Sequence, residues 1–223
     1  MTPVLQVKDV SYTYRSQYQT VEALKGVSRD FGAGGVHAIM GRSGSGKTTL
    51  LSLMAGLDLP TSGEVLCEGV STAQMDLQKY RREKAAVIYQ SFRLLPLLTV
   101  AENVMYPMEL RGMPAKQAKQ RATELIERVG LPAPALNRFP TMLSGGEQQR
   151  VAIARALGMD TRCLLADEPT GNLDSANGEN ILAILESLAH DSGYCVVIVT
   201  HDAGIGARAD TVLRLRDGVC VAE

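Results

Sequence analysis

Eight consecutive residues of the 223-residue chain have the types and spacing needed to hold nucleotide phosphates. In this P-loop, backbone N–H groups at a helix start surround the β-phosphate, and Lys47 adds a point charge toward the β- and γ-phosphates. The Thr48 hydroxyl can bind Mg²⁺, and Thr49 directly after it is a further candidate contact. The run therefore predicts a magnesium-nucleotide site. It reads Gly41-Arg42-Ser43-Gly44-Ser45-Gly46-Lys47-Thr48.

A second run, Leu-Ser-Gly-Gly-Glu-Gln-Gln-Arg from Leu143 to Arg150, also has the features of an anion site. Ser144 and Glu147 have the spacing of a capping box, which starts a helix. Gly145 and Gly146 carry no side chains, so a ligand could approach the bare N–H groups of that helix start. The chain thus contains two predicted phosphate sites.

Two adjacent carboxylates, Asp167 and Glu168, follow the apolar residues 163–166. Because α/β sheets place their ligands at the carboxyl ends of strands, both side chains are expected beside the P-loop. Asp167 suits the Mg²⁺ shell, and Glu168 suits a general base that activates water. An isolated Asp-Glu pair before Pro169 could simply cap a loop, but the P-loop favours the catalytic interpretation.

Apolar runs of strand length alternate with helical patterns, which predicts an α/β fold with a mostly parallel, layered sheet. Residues 36–40 are the expected strand into the P-loop, and residues 48–57 the helix out of it. Short apolar segments near the N-terminus indicate a small antiparallel sheet beside this core. The other predicted elements are strands at 163–166, 195–199 and 211–215, a helix at 179–188, and the antiparallel segments 5–7, 12–14 and 63–69.

The strand signal disappears between residues 91 and 156, where residues 116–129 follow a helical period with Leu125, Ile126 and Val129 on the apolar side. We therefore predict one nucleotide-binding domain over residues 1–223. Residues 1–90 and 157–223 form its core and β subdomain, and residues 91–156 form an inserted helical subdomain.

Composition excludes several other classes. A net charge of −1 provides no basic field for nucleic acid, so no nucleic-acid partner is expected. There is no apolar run of about 18 residues and no signal-peptide pattern, which predicts a soluble, intracellular chain. The four cysteines form no Cys-x-x-Cys pair and are expected to be buried, reduced thiols.

The run from Leu143 to Arg150, shortly before a strand that ends in Asp-Glu, resembles the signature motif of ATP-binding cassette (ABC) ATPases. The resemblance covers essentially the whole chain. It implies a P-loop NTPase core of RecA-like type, a signature motif carried by the helical subdomain, and hydrolysis of ATP with Mg²⁺.

The resemblance also gives roles to residues outside these motifs. Tyr14 matches the aromatic residue that stacks on adenine, with Tyr12 as the competing candidate. Gln90 matches the glutamine that reaches Mg²⁺ and water and hinges the helical subdomain.

Two more matches lie near the C-terminus. Asp174 matches the D-loop aspartate that communicates between two subunits, and His201 matches the switch histidine that contacts the γ-phosphate. His37 and His190 have no such match, so core packing or a solvated helix face is expected for them.

The family resemblance accounts for the second phosphate site. In this family Ser144, Gly145 and Gly146 of one subunit cover the γ-phosphate held by the P-loop of another. It implies a head-to-tail dimer of two copies, which ATP closes and hydrolysis releases.

A membrane partner is a further implication. In the family, the region after Gln90 receives short helices of transmembrane subunits, so the apolar residues 91–100 could be part of a docking surface or could pack inside the helical subdomain. The resemblance implies a permease on a separate chain and a peripheral location at the cytoplasmic face of the cell (inner) membrane.

Residues 21–25, 91–96 and 165–174 are similar to the lipoprotein-release, macrolide-export and antimicrobial-peptide-resistance cassettes, which implies export or mechanotransmission. Gly35, where the family usually has glutamate, and Arg29, at a usually apolar strand position, depart from the pattern.

Two other functions predict a different sequence. A soluble ABC machine acting on ribosomes or DNA would be expected to show tandem cassettes, a coiled-coil insert or a basic surface. A non-hydrolytic switch would be expected to lack a base such as Glu168.

Overall fold

The computed structural model describes residues 3–221, which form two sheets with helices around them. The sheets differ in strand direction, and the helices follow the strands in the chain. The strands are β1 (Leu5–Arg15), β2 (Thr20–Phe31), β3 (Gly35–Met40), β4 (Ser62–Cys67), β5 (Val70–Ser71), β6 (Ala85–Tyr89), β7 (Cys163–Asp167), β8 (Cys195–Thr200), β9 (Thr211–Arg216) and β10 (Val219–Val221). The helices are α1 (Lys47–Met54), α2 (Leu77–Glu83), α3 (Val100–Leu110), α4 (Ala115–Arg128), α5 (Gly145–Gly158), α6 (Ser175–His190) and α7 (Ala203–Arg208), with short 3₁₀ turns at Thr72–Gln74, Ala133–Asn137 and Pro140–Met142.

The larger sheet has the strand order β10-β9-β3-β8-β7-β6 and is parallel except for β10. The smaller sheet, in the order β2-β1-β4-β5, is antiparallel. The α/β fold, with a mostly parallel core sheet and a small antiparallel subdomain, is therefore confirmed.

Two apolar cores cover the two faces of the larger sheet. Alternate residues of β7 point to opposite cores: Leu164 and Ala166 pack with α3 to α6, whereas Cys163 and Leu165 pack with α1 and the antiparallel sheet. Burial on both faces explains why these strands read as continuous apolar runs. Because β3, β6, β7, β8 and β9 run parallel, their carboxyl ends lie along one edge of the sheet.

The helices α3, α4 and the first twelve residues of α5 lie within the predicted helical insertion, and residues 91–156 contain no strand. Leu125 and Ile126 of α4, and Val129 directly after it, are fully buried in the core shared with α5, as their spacing predicted. Because α5 continues to Gly158, the boundary at residue 156 cuts through its last turn.

Several predicted bounds were wrong. The helix after the P-loop ends at Met54 instead of residue 57, because the chain turns at Gly56 with a φ of +66°. The segments 5–7 and 12–14 are parts of one irregular strand, β1, whose register shifts break its alternation. The helix expected at 179–188 begins earlier, at Ser175 after its cap Asp174, and ends later, at His190.

The structure also places four cysteines and two histidines that lie outside the motifs. Cys67, Cys163 and Cys195 are buried free thiols, but Cys220 is exposed because it lies on the edge strand β10. His37 is buried in β3, and His190 lies exposed at the end of α6. Among residues 3–221, no helix has both the length and the apolar character required to cross a bilayer.

Candidate nucleotide site

A cavity of about 890 Å³ opens at the carboxyl ends of β3, β7 and β8. Its size lies in the usual range for small-molecule sites. It collects parts of the chain that are distant in sequence. The lining residues are Tyr14, Val21, Glu22, Ala23, Lys25, Arg42, Ser43, Gly44, Gly46, Lys47, Thr48, Thr49, Asp167, Glu168, Val199, His201, Asp217 and Gly218.

The P-loop is shaped by glycines that no other residue could replace without strain. Gly44 and Gly46 have φ values of +78° and +101°, and a Cβ at Gly46 would lie 2.5 Å from the carbonyl oxygen of Ala23. No described side chain caps α1, which begins at Lys47. The N–H groups of its first turn are therefore left for a ligand, an arrangement suited to phosphate.

Two P-loop side chains are held inside the loop. The buried Lys47 donates from Nζ to the carbonyl oxygens of Gly41 at 2.8 Å and Arg42 at 3.0 Å. The Ser45 hydroxyl oxygen is buried and has no hydrogen-bond partner within residues 3–221. Ser45 does not line the cavity, and its Oγ lies only 2.5 Å from where a Cβ at Gly41 would be, so this hydroxyl belongs to the interior of the loop.

Asp167, the last residue of β7, is half-buried at the cavity wall. Burial of the carboxyl group raises its pKa, as does the neighbouring Glu168, while Lys47 and Arg93 oppose the shift. A cation beside Asp167 would relieve this cost by favouring the ionised form. Thr48 lines the same cavity.

The donor set fits Mg²⁺ better than a metal held by protein alone. Residues 3–221 contain no cluster of three or more His, Cys, Asp or Glu side chains that could hold a metal. Mg²⁺ typically takes one or two carboxylates together with water and substrate phosphate oxygens. Asp167 and the Thr48 hydroxyl, placed beside a phosphate loop, match that pattern.

Glu168 lies in the left-handed region of backbone space, with a φ of +46°. Its Oε2 accepts a hydrogen bond of 3.2 Å from the Thr200 hydroxyl, and its Oε1 lies 2.7 Å from Nδ1 of His201. The carboxylate is mostly buried, whereas 73% of the His201 side chain is exposed to the cavity and solvent. The sequence analysis missed Thr200, whose only signal is its position directly before His201.

Gln90 does not line this cavity. Its Nε2 donates to Oδ1 of Asn172 at 3.2 Å, and Nδ2 of Asn172 donates to the Gln90 carbonyl oxygen at 3.0 Å. Gly171 makes room for the amide, because a Cβ there would lie 2.7 Å from Gln90 Nε2. In this structure Gln90 therefore joins the end of β6 to the loop after β7.

The two candidate tyrosines have different environments. Tyr14 is half exposed, lines the cavity, and places its hydroxyl 3.2 Å from Oγ1 of Thr49. Tyr12 donates its hydroxyl to Asp58, and this hydrogen bond raises the pKa of Tyr12 to about 12. Of the two tyrosines, only Tyr14 lines the cavity.

Ser144, Gly145, Gly146 and Asp174 lie outside the cavity. The capping box at Ser144 is confirmed: Ser144 N–H donates to Glu147 Oε2 at 2.8 Å, and the Ser144 hydroxyl accepts from Glu147 N–H at 3.3 Å. Asp174 caps α6 by accepting from Asn177 N–H at 2.9 Å.

The two glycines after Ser144 have unequal surroundings. Gly146 is buried against Asn177 so closely that no Cβ would fit, whereas a Cβ at Gly145 would lie 3.4 Å from Leu173. The expectation that both glycines only clear space for a ligand was therefore incomplete. Gly146 is also required for the packing of α5 on α6.

The turn between β9 and β10 supports the P-loop, which the sequence analysis also missed. Gly218 N–H donates to the carbonyl oxygen of Ser45 at 3.2 Å, and Lys25 N–H donates to that of Gly218 at 2.8 Å. An Asp-Gly pair between two apolar runs is the signal that could have predicted this hairpin.

A family model and individual relatives of known sequence both match this chain. The family model described as ABC transporter matches residues 24–171. The chain is 46% identical over 224 residues to the macrolide export ATP-binding/permease protein MacB of Shigella flexneri, a match that covers 99% of this chain and 34% of that protein. It therefore spans about a third of the length of this relative. An uncharacterised ABC transporter ATP-binding protein of Thermotoga maritima is 47% identical, with 98% of this chain and 94% of that protein covered.

Two solved structures extend the likeness to the fold. The ATP-binding cassette MJ0796, a dimer in a post-hydrolysis state bound to ADP and Pi, is 39% identical with a TM-score of 0.89, and the match covers 98% of this chain and 97% of that one. The cbiO1 protein of Clostridium perfringens, part of the ABC transporter complex cbiONQ, is 27% identical with a TM-score of 0.88, covering 100% and 88%.

Proposed function

The chain belongs to the ABC transporter family, and we propose that it binds and hydrolyses ATP as the cassette subunit of a transport or mechanotransmission complex. The observation that carries the proposal is the single cavity in which the P-loop, Asp167, Glu168 and His201 meet. Each of the four supplies a different part of phosphoryl transfer.

The P-loop would bind the phosphates. The free N–H groups at the start of α1 and the Lys47 ammonium group face the cavity and would hold the β- and γ-phosphates. Thr48 and Asp167 would hold Mg²⁺, with Gln90 as a further ligand once it leaves Asn172. Bound Mg²⁺ supplies positive charge that neutralises the phosphate oxygens. Tyr14 would stack on the base.

Glu168 is the proposed general base. Its carboxylate would accept a proton from the water that attacks the γ-phosphate. Thr200 and His201 hold the two carboxylate oxygens at 3.2 and 2.7 Å, so its orientation is fixed before a substrate arrives. His201 is exposed enough to contact the γ-phosphate as well.

A second copy of the chain would complete the site. Ser144 and Gly145 form a capped helix start that lies off the P-loop cavity, so within one chain this anion site has no nucleotide of its own. Two copies arranged head to tail would place it over the γ-phosphate of the partner's nucleotide. The dimeric relative of the same fold supports this arrangement.

A groove on the helical side is the proposed docking surface for a permease. A cavity of about 270 Å³ lies between α2, β6, α3 and α5, with apolar walls that include Leu95, Tyr106 and Leu110. Leu94 packs against the core whereas Leu97 is 89% exposed, so the segment after Gln90 serves both core packing and surface. Docking there would place the chain at the cytoplasmic face of the membrane.

The proposed partner is a permease on another chain, of the lipoprotein, macrolide or antimicrobial-peptide type. The similarity to MacB supports this choice. Replacing Tyr106 by Asp should abolish co-purification with the permease, while Val70→Asp, at an exposed apolar position on β5, should not. Equal recovery of the permease with both variants would show that the groove is not the docking surface.

Glu168→Gln is the decisive test of hydrolysis. Because a general base contributes on the order of 10²–10⁴-fold, turnover should fall by at least about a hundredfold. ATP binding should persist, so the variant should elute from gel filtration as an ATP-dependent dimer. Glu64→Gln, at an exposed position on β4, should retain normal turnover. Brisk hydrolysis by Glu168→Gln would reject the assignment.

A further inference from the structure

The helix α5 rests on the loop that carries Glu168. This loop, residues 168–174, runs from the end of β7 to the start of α6. Gly145 approaches Leu173 within the loop, and Gly146 packs against Asn177 just beyond it. Gln149, four residues after Gly145 on α5, donates a hydrogen bond to Pro169 in the same loop. Three positions of α5 thus face this loop or the first turn of α6 that follows it.

Gln149 makes the polar part of this contact. Its side chain is fully buried, and Nε2 donates a hydrogen bond of 2.8 Å to the carbonyl oxygen of Pro169. Oε1 has no partner within residues 3–221. Leaving the oxygen of a buried amide without a hydrogen-bond partner costs free energy. The bond to Pro169 is therefore the specific contribution of an amide at this position.

The acceptor, Pro169, directly follows Glu168. The backbone of Glu168 has the unfavourable φ of +46°. A non-glycine residue stays in this region only when its surroundings hold it there. Three hydrogen bonds hold the backbone here. Glu168 N–H donates to Val199 O at 2.9 Å, Gly171 N–H donates to Glu168 O at 3.0 Å, and Gln149 Nε2 donates to Pro169 O. Only the last comes from α5.

We propose that Gln149 is a positioning residue for Glu168, and that its amide joins the N-terminal turn of α5 to the base of the same chain. This inference rests on the proposed ATPase function. When a nucleotide of the second copy engages Ser144 and Gly145, a movement of α5 reaches Pro169 through the Gln149 hydrogen bond. Glu168 thereby responds to the state of the other site.

Gln149→Leu removes the donor and keeps a side chain of similar length. We expect kcat to fall on the order of tenfold or more, because small displacements of a reacting group are costly. The dissociation constant for ATP should stay within about twofold, since Gln149 does not line the cavity.

Thr161→Val is the matched control. Thr161 is also buried and donates to a backbone carbonyl, that of Lys84, but it lies before the opposite end of β7 from Glu168. Both variants should lower thermal stability. Only Gln149→Leu should lower kcat.

Gln149→Glu provides a readout that a merely structural role would not change. An ionised carboxylate cannot donate to Pro169, whereas the protonated acid can. Burial raises the pKa of a glutamic acid, so the neutral form becomes populated near the assay range. The ratio of variant to wild-type kcat should therefore rise as the pH is lowered from about 8 to about 6.

The outcomes separate this inference from the proposed function. If the wild-type chain hydrolyses ATP and Gln149→Leu retains its kcat, the positioning role is overturned while the ATPase stands. A Gln149→Leu chain that loses ATP binding together with kcat would assign the residue to folding and also overturn it. So would a pH-independent kcat ratio for Gln149→Glu. A wild-type chain without ATPase activity, alone or with its permease, would reject the proposed function itself.

Discussion

His201 holds its ring Nδ1 2.7 Å from Oε1 of Glu168, at the edge of the cavity that contains the P-loop. Replacing His201 by Ala removes both this contact and a polar group that lines the cavity. Turnover should fall by about 10²-fold or more, with ATP affinity nearly unchanged. Steady-state ATPase rates would show this. His190→Ala, at the exposed end of α6, should retain turnover, and equal losses in both variants would contradict a specific role for His201.

Two glycines of the P-loop should respond differently to the same substitution. Gly46→Ala introduces a Cβ 2.5 Å from the Ala23 carbonyl oxygen, in addition to the strain of a φ of +101°. Gly44→Ala carries only strain, because no atom lies within 4 Å of its added Cβ. We expect Gly46→Ala to abolish ATP binding and Gly44→Ala to weaken it, as measured by titration with a fluorescent ATP analogue. Tighter binding by the Gly46 variant than by the Gly44 variant would be inconsistent with this geometry.

Base stacking should depend on Tyr14 and not on Tyr12. Tyr14→Ala should cost about 1–3 kcal/mol of ATP binding free energy, and Tyr14→Phe should restore most of it. Tyr12→Phe removes the hydrogen bond to Asp58 away from the cavity and should leave affinity unchanged. Calorimetric titration with ATP and GTP checks both points, since stacking tolerates either base. A larger loss at Tyr12 than at Tyr14 would exchange their roles.

The buried Tyr80 should contribute to stability through its hydroxyl group. The side chain is 2% exposed, and its hydroxyl donates to the Met54 carbonyl oxygen at 2.6 Å. Tyr80→Phe leaves that carbonyl without this donor and should lower the free energy of unfolding by about 1–3 kcal/mol. Tyr18→Phe, at a side chain that is 95% exposed, is the control. Urea denaturation curves that coincide for the two variants would disprove the expectation.

The ion pair of His190 and Asp210 should make stability depend on pH. Their hydrogen bond of 2.9 Å raises the pKa of His190 and, together with a bond from Val36 N–H, lowers the pKa of Asp210. The histidine contribution is fully present below its unfolded pKa of about 6.5 and is lost as the pH rises through its folded pKa. The aspartate contribution is present above its unfolded pKa of about 3.9 and is lost as the pH falls through its folded pKa.

His190→Ala should therefore lower the melting temperature most between about pH 4 and pH 6.5, and progressively less above that range. Thermal denaturation of wild type and His190→Ala across this pH range gives the difference in melting temperature directly. Asp210→Asn removes the partner and should show the same window. A difference between wild type and His190→Ala that grows at alkaline pH would have the wrong sign.

Much of the fold could be predicted from the sequence because its signals are local. The buried strands β3, β7, β8 and β9 appear as continuous apolar runs, since helices or a second sheet cover both of their faces. The sequence predicts two short segments where the structure has the single irregular strand β1, and β2 carries too many exposed positions to stand out as a strand. The sequence predicts a buried thiol at Cys220, which is exposed, because residue type does not distinguish an edge strand from a central one.

The candidate site, like the fold, has parts that the sequence predicts and parts that depend on tertiary packing. The sequence by itself determined which groups could hold phosphate, bind Mg²⁺ and accept a proton, because the P-loop, the Asp-Glu pair and the capping box are defined by neighbours in the chain. Only the tertiary structure decided that Gln90 bonds to Asn172, that Thr200 orients Glu168, and that Gln149 reaches Pro169. These contacts join residues 20 to 82 positions apart, and they form only after α5 and the carboxyl ends of the strands have packed together.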